Sequence, residues 1–316
     1  MRTRTPWRTI ALAAVAGVQL SADVSDGPRR PIDVSGATLP VVRTHTYRMS
    51  GHIRPLFAFW ISRDDVGSGR LVWRQGEDGT RGWDFVLGTD PARAPRRLNR
   101  WGYIAEEAGE GRGSVVAMMS SEEESSLREV NANADQGATG GGEFKAVRAQ
   151  TAAGVVRARV KRIRTPRALT IGDVDTLVAL ADVDLRTAEL KTIDLPPGTR
   201  PGFLAAVAEL VDWSVTVHQQ GDAAARRPSV AVPYVFGDRL YDVTLTSTRR
   251  LDEYRDGDRR HTDMVRGKFE ILTRATGDRT RFELVYGRTG ELAGVPVLIT
   301  FQPRWWLKVE LHLDED

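Results

Sequence analysis

Two glycine–aspartate steps in the last ninety residues constrain this chain most, because the count of apolar positions changes parity at each of them. In "SVAVPYVFGDRLYDVTLTS" the apolar residues are even before the step (Val230, Val232, Tyr234, Phe236) and odd after it (Tyr241, Val243, Leu245). Successive strand residues point to opposite faces, so a two-residue hairpin must switch parity to keep one face apolar. Glycine in the first loop position suits a type II′ turn at Gly237–Asp238, which sets Tyr234 opposite Tyr241 and Val232 opposite Val243. The same switch in "FEILTRATGDRTRFELVY" around Gly277–Asp278 predicts Phe269 opposite Tyr286 and Ile271 opposite Leu284.

The tail behaves differently. From Val295 to Leu313 the odd positions stay apolar through Pro303. This disfavours a two-residue hairpin and fits either one long strand bent or bulged at Pro303 or an odd-numbered turn. In that count Trp305 points inward, and Trp306 shares the wetter face with Gln302, Arg304 and Lys308.

Upstream, the runs "THTYRM", "PLFAFWIS", "RLVWRQ", "GWDFVLG", "WGYIAEE" and "GSVVAMM" alternate with Gly and Asp punctuation, the pattern of antiparallel strands. A further hairpin is expected around Ala153 and Gly154. Two helices follow, in "TIGDVDTLVALADV" and in "TRPGFLAAVAELVDW". In the second, Phe203, Leu204, Val207, Leu210 and Val211 form one apolar stripe at helical spacing, which has to cover the C-terminal strands. The expected class is β-dominated α+β: antiparallel sheets with a C-terminal β-meander, half-barrel or barrel-like, covered by one or two helices. The segments are an export signal at 1–22, a flexible lead-in at 23–40, an N-terminal antiparallel β region at 41–119, a polar, Gly-rich linker at 120–142, a mixed region with two helices at 143–225 and the meander at 226–316.

The first residues combine Arg2, Arg4 and Arg8 with an apolar stretch from Ile10 to Leu20 and small residues at Ser21 and Ala22, the layout of a secretory signal. That stretch falls short of the ~20 residues a spanning helix needs, so the mature chain is expected to carry no transmembrane span and to be periplasmic or secreted. Losing those three arginines from 45 basic residues leaves 42 against 42 acidic. A formally neutral mature chain gives no support to nucleic-acid binding, which needs basic excess on one face. The chain has no cysteine, which excludes disulfides, thiolate zinc sites and cysteine nucleophiles.

Phosphate-cradling loops, the G-x-S-x-G elbow and HExxH are absent, and the five histidines are scattered along the sequence, although folding could gather them. No cofactor and no metal are expected; the acidic run "LDEYRDGDRRHTD" reads as a solvated hairpin loop. Trp60, Trp73, Trp83 and Trp101 are either core residues or, with Trp306, a contact surface for a ligand or partner. The leading reading is non-enzymatic binding of an apolar or amphipathic ligand, which needs a roomy pocket, or of an envelope component. A second is a glycan-directed envelope hydrolase with catalytic carboxylates drawn from Asp64, Asp65, Asp84 and Glu106, which needs two of them ~5–9 Å apart across a cleft. A third is a structural assembly module with a filled core.

Overall fold

The computed structural model describes residues 39–54, 60–94, 98–120, 142–166, 169, 170, 172, 174–220, 229–304 and 307–314. The export segment, residues 23–38 of the lead-in, 121–141 of the linker, and both Trp305 and Trp306 lie outside them. In chain order the elements are β1 (Val41–Ile53), β2 (Ile61–Gln75), β3 (Arg81–Thr89), β4 (Trp101–Gly109), β5 (Arg112–Ser120), β6 (Gly142–Ala152), β7 (Val155–Thr165), α1 (Val174–Arg186), β8 (Leu190–Asp194), α2 (Phe203–Gln219), β9 (Val230–Phe236), β10 (Arg239–Asp256), β11 (Arg259–Thr273), β12 (Arg279–Gly287), β13 (Pro296–Arg304) and β14 (Leu307–Asp314).

All fourteen strands join one antiparallel sheet in the order β8-β7-β6-β5-β4-β3-β2-β1-β14-β13-β12-β11-β10-β9. The N-terminal and C-terminal β regions therefore form a single sheet, joined where β1 pairs with β14 (Tyr47↔Leu313, Gly51↔Val309). The sheet curls until its ends meet. A Cβ on Gly237, at the β9–β10 turn, would sit 3.1 Å from Val160 and 3.4 Å from Val147. Lys191 on β8 pairs with Asp238 at 2.6 Å, and beyond β8 the chain adds a parallel bridge, Arg200↔Tyr234, to the free side of β9. Such contacts cover edges that would otherwise offer unpaired backbone groups.

The first parity switch is realised as expected: Tyr241 pairs with Tyr234 and Val243 with Val232. Gly237 has φ 61° while Asp238 stays outside the left-handed region, as a type II′ turn requires. Ala153 (φ 49°) and Gly154 (φ 78°) likewise turn β6 into β7. The second switch keeps its faces but not its register. Phe269 pairs with Phe282 and Ile271 with Thr280, while Leu284 and Tyr286 face Gly267 and Val265. The loop holds four residues, closed by Thr273 N–H to Asp278 O at 2.9 Å and by Gly277 N–H to Thr273 O at 2.8 Å. Any even-numbered loop switches parity, so the pattern alone does not separate two from four. In the tail, β13 and β14 form a hairpin with Phe301↔Val309 and a register shift between Phe301 and Arg304. Arg304↔Leu307 leaves two residues between the strands, so the two-residue hairpin that the parity count disfavours is the one formed, and the register shift beside Pro303 restores the parity; a single long strand is excluded.

The two helices occupy opposite faces of the sheet. α1 lies against β6 and β7, and its Leu177, Ala181 and Leu185 share an apolar cluster with Trp101, Tyr103, Met118 and Phe144. α2 lies on the concave face, against β9, β10 and β4, so it spans both halves of the sheet and not the C-terminal strands alone. Its Ala206, Leu210 and Val211 belong to the main core with Tyr47, Tyr234, Tyr241 and Phe269. Alanines at 205 and 206 let the helix approach the strands closely, and the larger Phe203 and Val207 pack beside them, half-buried.

Candidate functional site

Glu106 lies where alternation along β4 puts it on the concave face with Ile104, opposite Trp83 of β3. Its side chain is buried under the start of α2, where Oε2 accepts the Ala205 N–H at 2.9 Å. The helix supplies no cap of its own, since its N-cap is Gly202 with extended backbone (φ −164°) and no side-chain bond. A carboxylate from another element thus satisfies helix N–H groups that would otherwise be orphaned. Burial pushes the Glu106 carboxyl up to about 7 against the opposing pull of the Ala205, Leu204 and Phe203 N–H groups, and its Oε1 has no hydrogen-bond partner. Further along the helix, Ser214 bonds the Tyr286 hydroxyl, and His218 Nε2 meets Thr248 Oγ1 at 3.0 Å.

The four carboxylates considered for hydrolysis do not share a cleft. Asp84 pairs across strands with Ala105, the neighbour of Glu106, so it points to the α1 face, where Arg74 Nε donates to it at 2.8 Å. Asp64 accepts the Ser50 hydroxyl at 2.9 Å. Asp65 is exposed at φ 52°, inside the irregularity between the Met49↔Gly67 and Gly51↔Arg63 pairs. Glu106, Asp84 and Asp64 each hold a structural contact, and the paired geometry of a glycosidase is not formed by Asp84 and Glu106.

The tryptophans separate in the same way. Trp101 is core, donating Nε1–H to Leu169 O at 2.9 Å and packing on Phe144. With Asn99, Ser120 and Thr165 these rings line a shallow cleft that has room for about one water. Trp83 is buried with the Arg81 guanidinium 5.4 Å above it. Trp73 and Trp60 are half-buried, each with a cation over its ring, Arg43 at 5.4 Å and Arg54 at 5.9 Å.

Folding does gather histidines that the sequence scatters. His52 of β1 and His312 of β14 lie on the convex face beside Glu310, and the far part of the β10–β11 hairpin, which carries His261, extends past the last β11–β12 pair, Met264↔Gly287. His52 Nδ1 lies 2.7 Å from Ser62 Oγ and its Nε2 lies 2.7 Å from Glu310 Oε2. His312 Nδ1 is 2.9 Å from Asp256 Oδ1 of the hairpin. Burial raises the Glu310 carboxyl, but the Lys308 hydrogen bond and charge, with His52 and His312, hold it below the ordinary carboxylate range. Ser62, His52 and Glu310 have the connectivity of nucleophile, base and orienting carboxylate. The contacts tie β2, β1 and β14 together as a cross-strand polar strut. Among the described residues no three His, Cys, Asp or Glu side chains are arranged to hold a metal ion, and no helix is long and apolar enough to cross a membrane.

No family model and no curated protein matches the chain. Among solved structures it is similar to a β-barrel-like protein of a domain of unknown function, DUF1849, from Brucella abortus. The two are 12% identical, with 88% of this chain and 98% of that one covered and a TM-score of 0.49.

Proposed function

We propose that this chain is an exported, non-enzymatic binding protein that works through its outer surface. The observation that carries the reading is the occupation of the curl: α2 lies where a barrel-shaped carrier holds its ligand, and Ala206, Leu210 and Val211 are buried there among Tyr47, Tyr234 and Tyr241. An apolar ligand would have to displace a helix anchored by Glu106. Contacts then fall to the side chains left outside. Trp60 and Ile61 sit at one end of β1–β2, and Val41, Val42 and Trp73 at the other, with Ile61, Val41 and Val42 about half exposed. Envelope components are the partner class, because the arginine-flanked apolar segment at Ile10–Leu20 directs export and a cysteine-free chain loses nothing to an oxidising compartment.

Native mass spectrometry of the protein purified from the envelope fraction tests this. The expected species starts after the export segment and carries no lipid. A stoichiometric bound lipid would show that the interior is a ligand site, and recovery of the uncleaved chain from the cytosol would remove the envelope reading.

A further inference from the structure

We infer that the outer edge of the β10–β11 arm pairs with a second copy of this chain, antiparallel and two-fold symmetric, with the axis at Leu251.

β10 outruns its neighbour. β9 pairs with it only from Arg239 to Leu245, whereas β11 follows it to the Gly257–Asp258 tip, where Asp256↔Arg259 is the last pair. Among the described residues no strand lies on the outer side of residues 249–255. The register with β11 runs unshifted from Ser247 to Asp256, and the pair that closes a two-residue turn is hydrogen-bonded. Alternation from that pair turns the backbone N–H and C=O groups of Arg249, Leu251 and Glu253 to the open side. The arm is already held in place. Arg259 donates to the Leu313 carbonyl at 2.7 Å, Asp256 lies 3.8 Å from Arg48, and Leu251 and Tyr254 pack against the main apolar cluster. An edge ordered beforehand loses little further freedom on pairing.

Open edges are commonly protected by charge, but here the charges are sorted by sign. The edge reads Arg249-Arg250-Leu251-Asp252-Glu253. Paired antiparallel with itself about Leu251, it sets Arg249 opposite Glu253 and Arg250 opposite Asp252, and the two-fold axis repeats both, so that four opposite-charge pairs flank a Leu251–Leu251 contact. A shift of one residue in either direction keeps two of the four and sets Leu251 against a charge. Arg249, Arg250 and Asp252 are exposed. The ion pairs they and Glu253 now make are surface ones, Arg250 with Asp252 at 3.7 Å and with Asp263 at 3.8 Å, and Glu253 with Arg255 and Arg260, and exchanging surface pairs costs little. β7 is the opposite case: it outruns β8 beyond Arg159, and its Lys161-Arg162-Ile163-Arg164 would meet itself as like charges. The contact does not rest on the envelope reading above.

Sedimentation velocity of the intact protein from about 1 to about 200 µM should show a monomer–dimer equilibrium, weakened about tenfold as salt rises from about 0.05 to about 0.5 M. Arg249→Glu/Arg250→Glu and Asp252→Arg/Glu253→Arg should each be monomeric, and an equimolar mixture of the two should recover the dimer, because the exchanged edges complement each other. In this cysteine-free chain, Leu251→Cys should give a disulfide-linked dimer on mild oxidation, since Cα atoms across a hydrogen-bonded antiparallel pair lie about 5.5 Å apart, while Asp258→Cys at the tip should not. A protein monomeric at every concentration, a dimer that the charge exchanges leave intact, a mixture that stays monomeric, or cross-linking at Asp258 as readily as at Leu251 would overturn the proposal.

Discussion

The Glu106 carboxylate on β4 caps the backbone N–H of Ala205, 99 positions along the chain, at 2.9 Å. A strand residue thereby fixes the entry of α2 into the curl, and a Cβ on Gly202 would lie 2.3 Å from the Glu106 carboxyl. Gly202→Ala should therefore destabilise by about 1–3 kcal/mol, the range for forcing extra volume into a packed interior, as measured by urea unfolding. Gly198 has nothing within contact distance, but its φ is 79°, so Gly198→Asn, a residue that tolerates the left-handed region, is the fitting neutral control.

Glu106 also predicts a pH dependence. Its folded value, about 7, lies above the ordinary 4.5, so the folded state holds the proton more tightly than the unfolded chain. The resulting stability is present below about 4.5 and is lost as pH rises through about 7; at 1.36 kcal/mol per unit it amounts to ~3 kcal/mol. Glu106→Gln should gain on the wild type in Tm as pH rises from 5 to 8. A constant difference across that range would show that Glu106 does not titrate there.

Phe269 and Phe282 stack with centroids 4.8 Å apart and planes 8° from parallel, which fixes the β11–β12 register. Each Phe→Ala variant should cost about 3–5 kcal/mol, and a double-mutant cycle should show a coupling of about 0.5–1.5 kcal/mol. Additive losses would point to a different pairing.

Asp84 should prove structural. Its partner Arg74 is 7% exposed on the side chain, so Asp84→Ala strands a buried cation and should cost about 3 kcal/mol. Exposed Asp64 bears only the Ser50 hydroxyl, and Asp64→Asn should change the melting temperature by no more than a surface substitution does, within about 0.5 kcal/mol.

The strands and their faces were legible because period-2 alternation is local: Val232, Tyr234, Tyr241 and Val243 show it within twelve residues of one another. Register was legible only up to loop length. Parity admits two- and four-residue loops at both Gly-Asp steps, and the chain forms the shorter at Gly237–Asp238 and the longer at Arg274–Gly277. Long-range placement was not legible. The stripe on α2 shows that the helix covers something, but its insertion on the concave face depends on Glu106, whose one local signal is a carboxylate in the inward row with Ile104. The histidines at 52 and 312 share no spacing because separate strands carry them to Glu310, and Asp84 and Glu106 do not pair because they point to opposite faces of the sheet.

The absence of cysteine from the chain makes thiol labelling the sharpest test of the plugged interior. Ala206 is fully buried on α2, and Asp212, with its side chain 57% exposed, lies on the same helix. In native buffer Ala206→Cys should react with a thiol reagent only at the rate of global unfolding, while Asp212→Cys reacts at once. Prompt labelling of both positions would mean that α2 swings out of the curl, and the interior would then be a binding cavity with a lid.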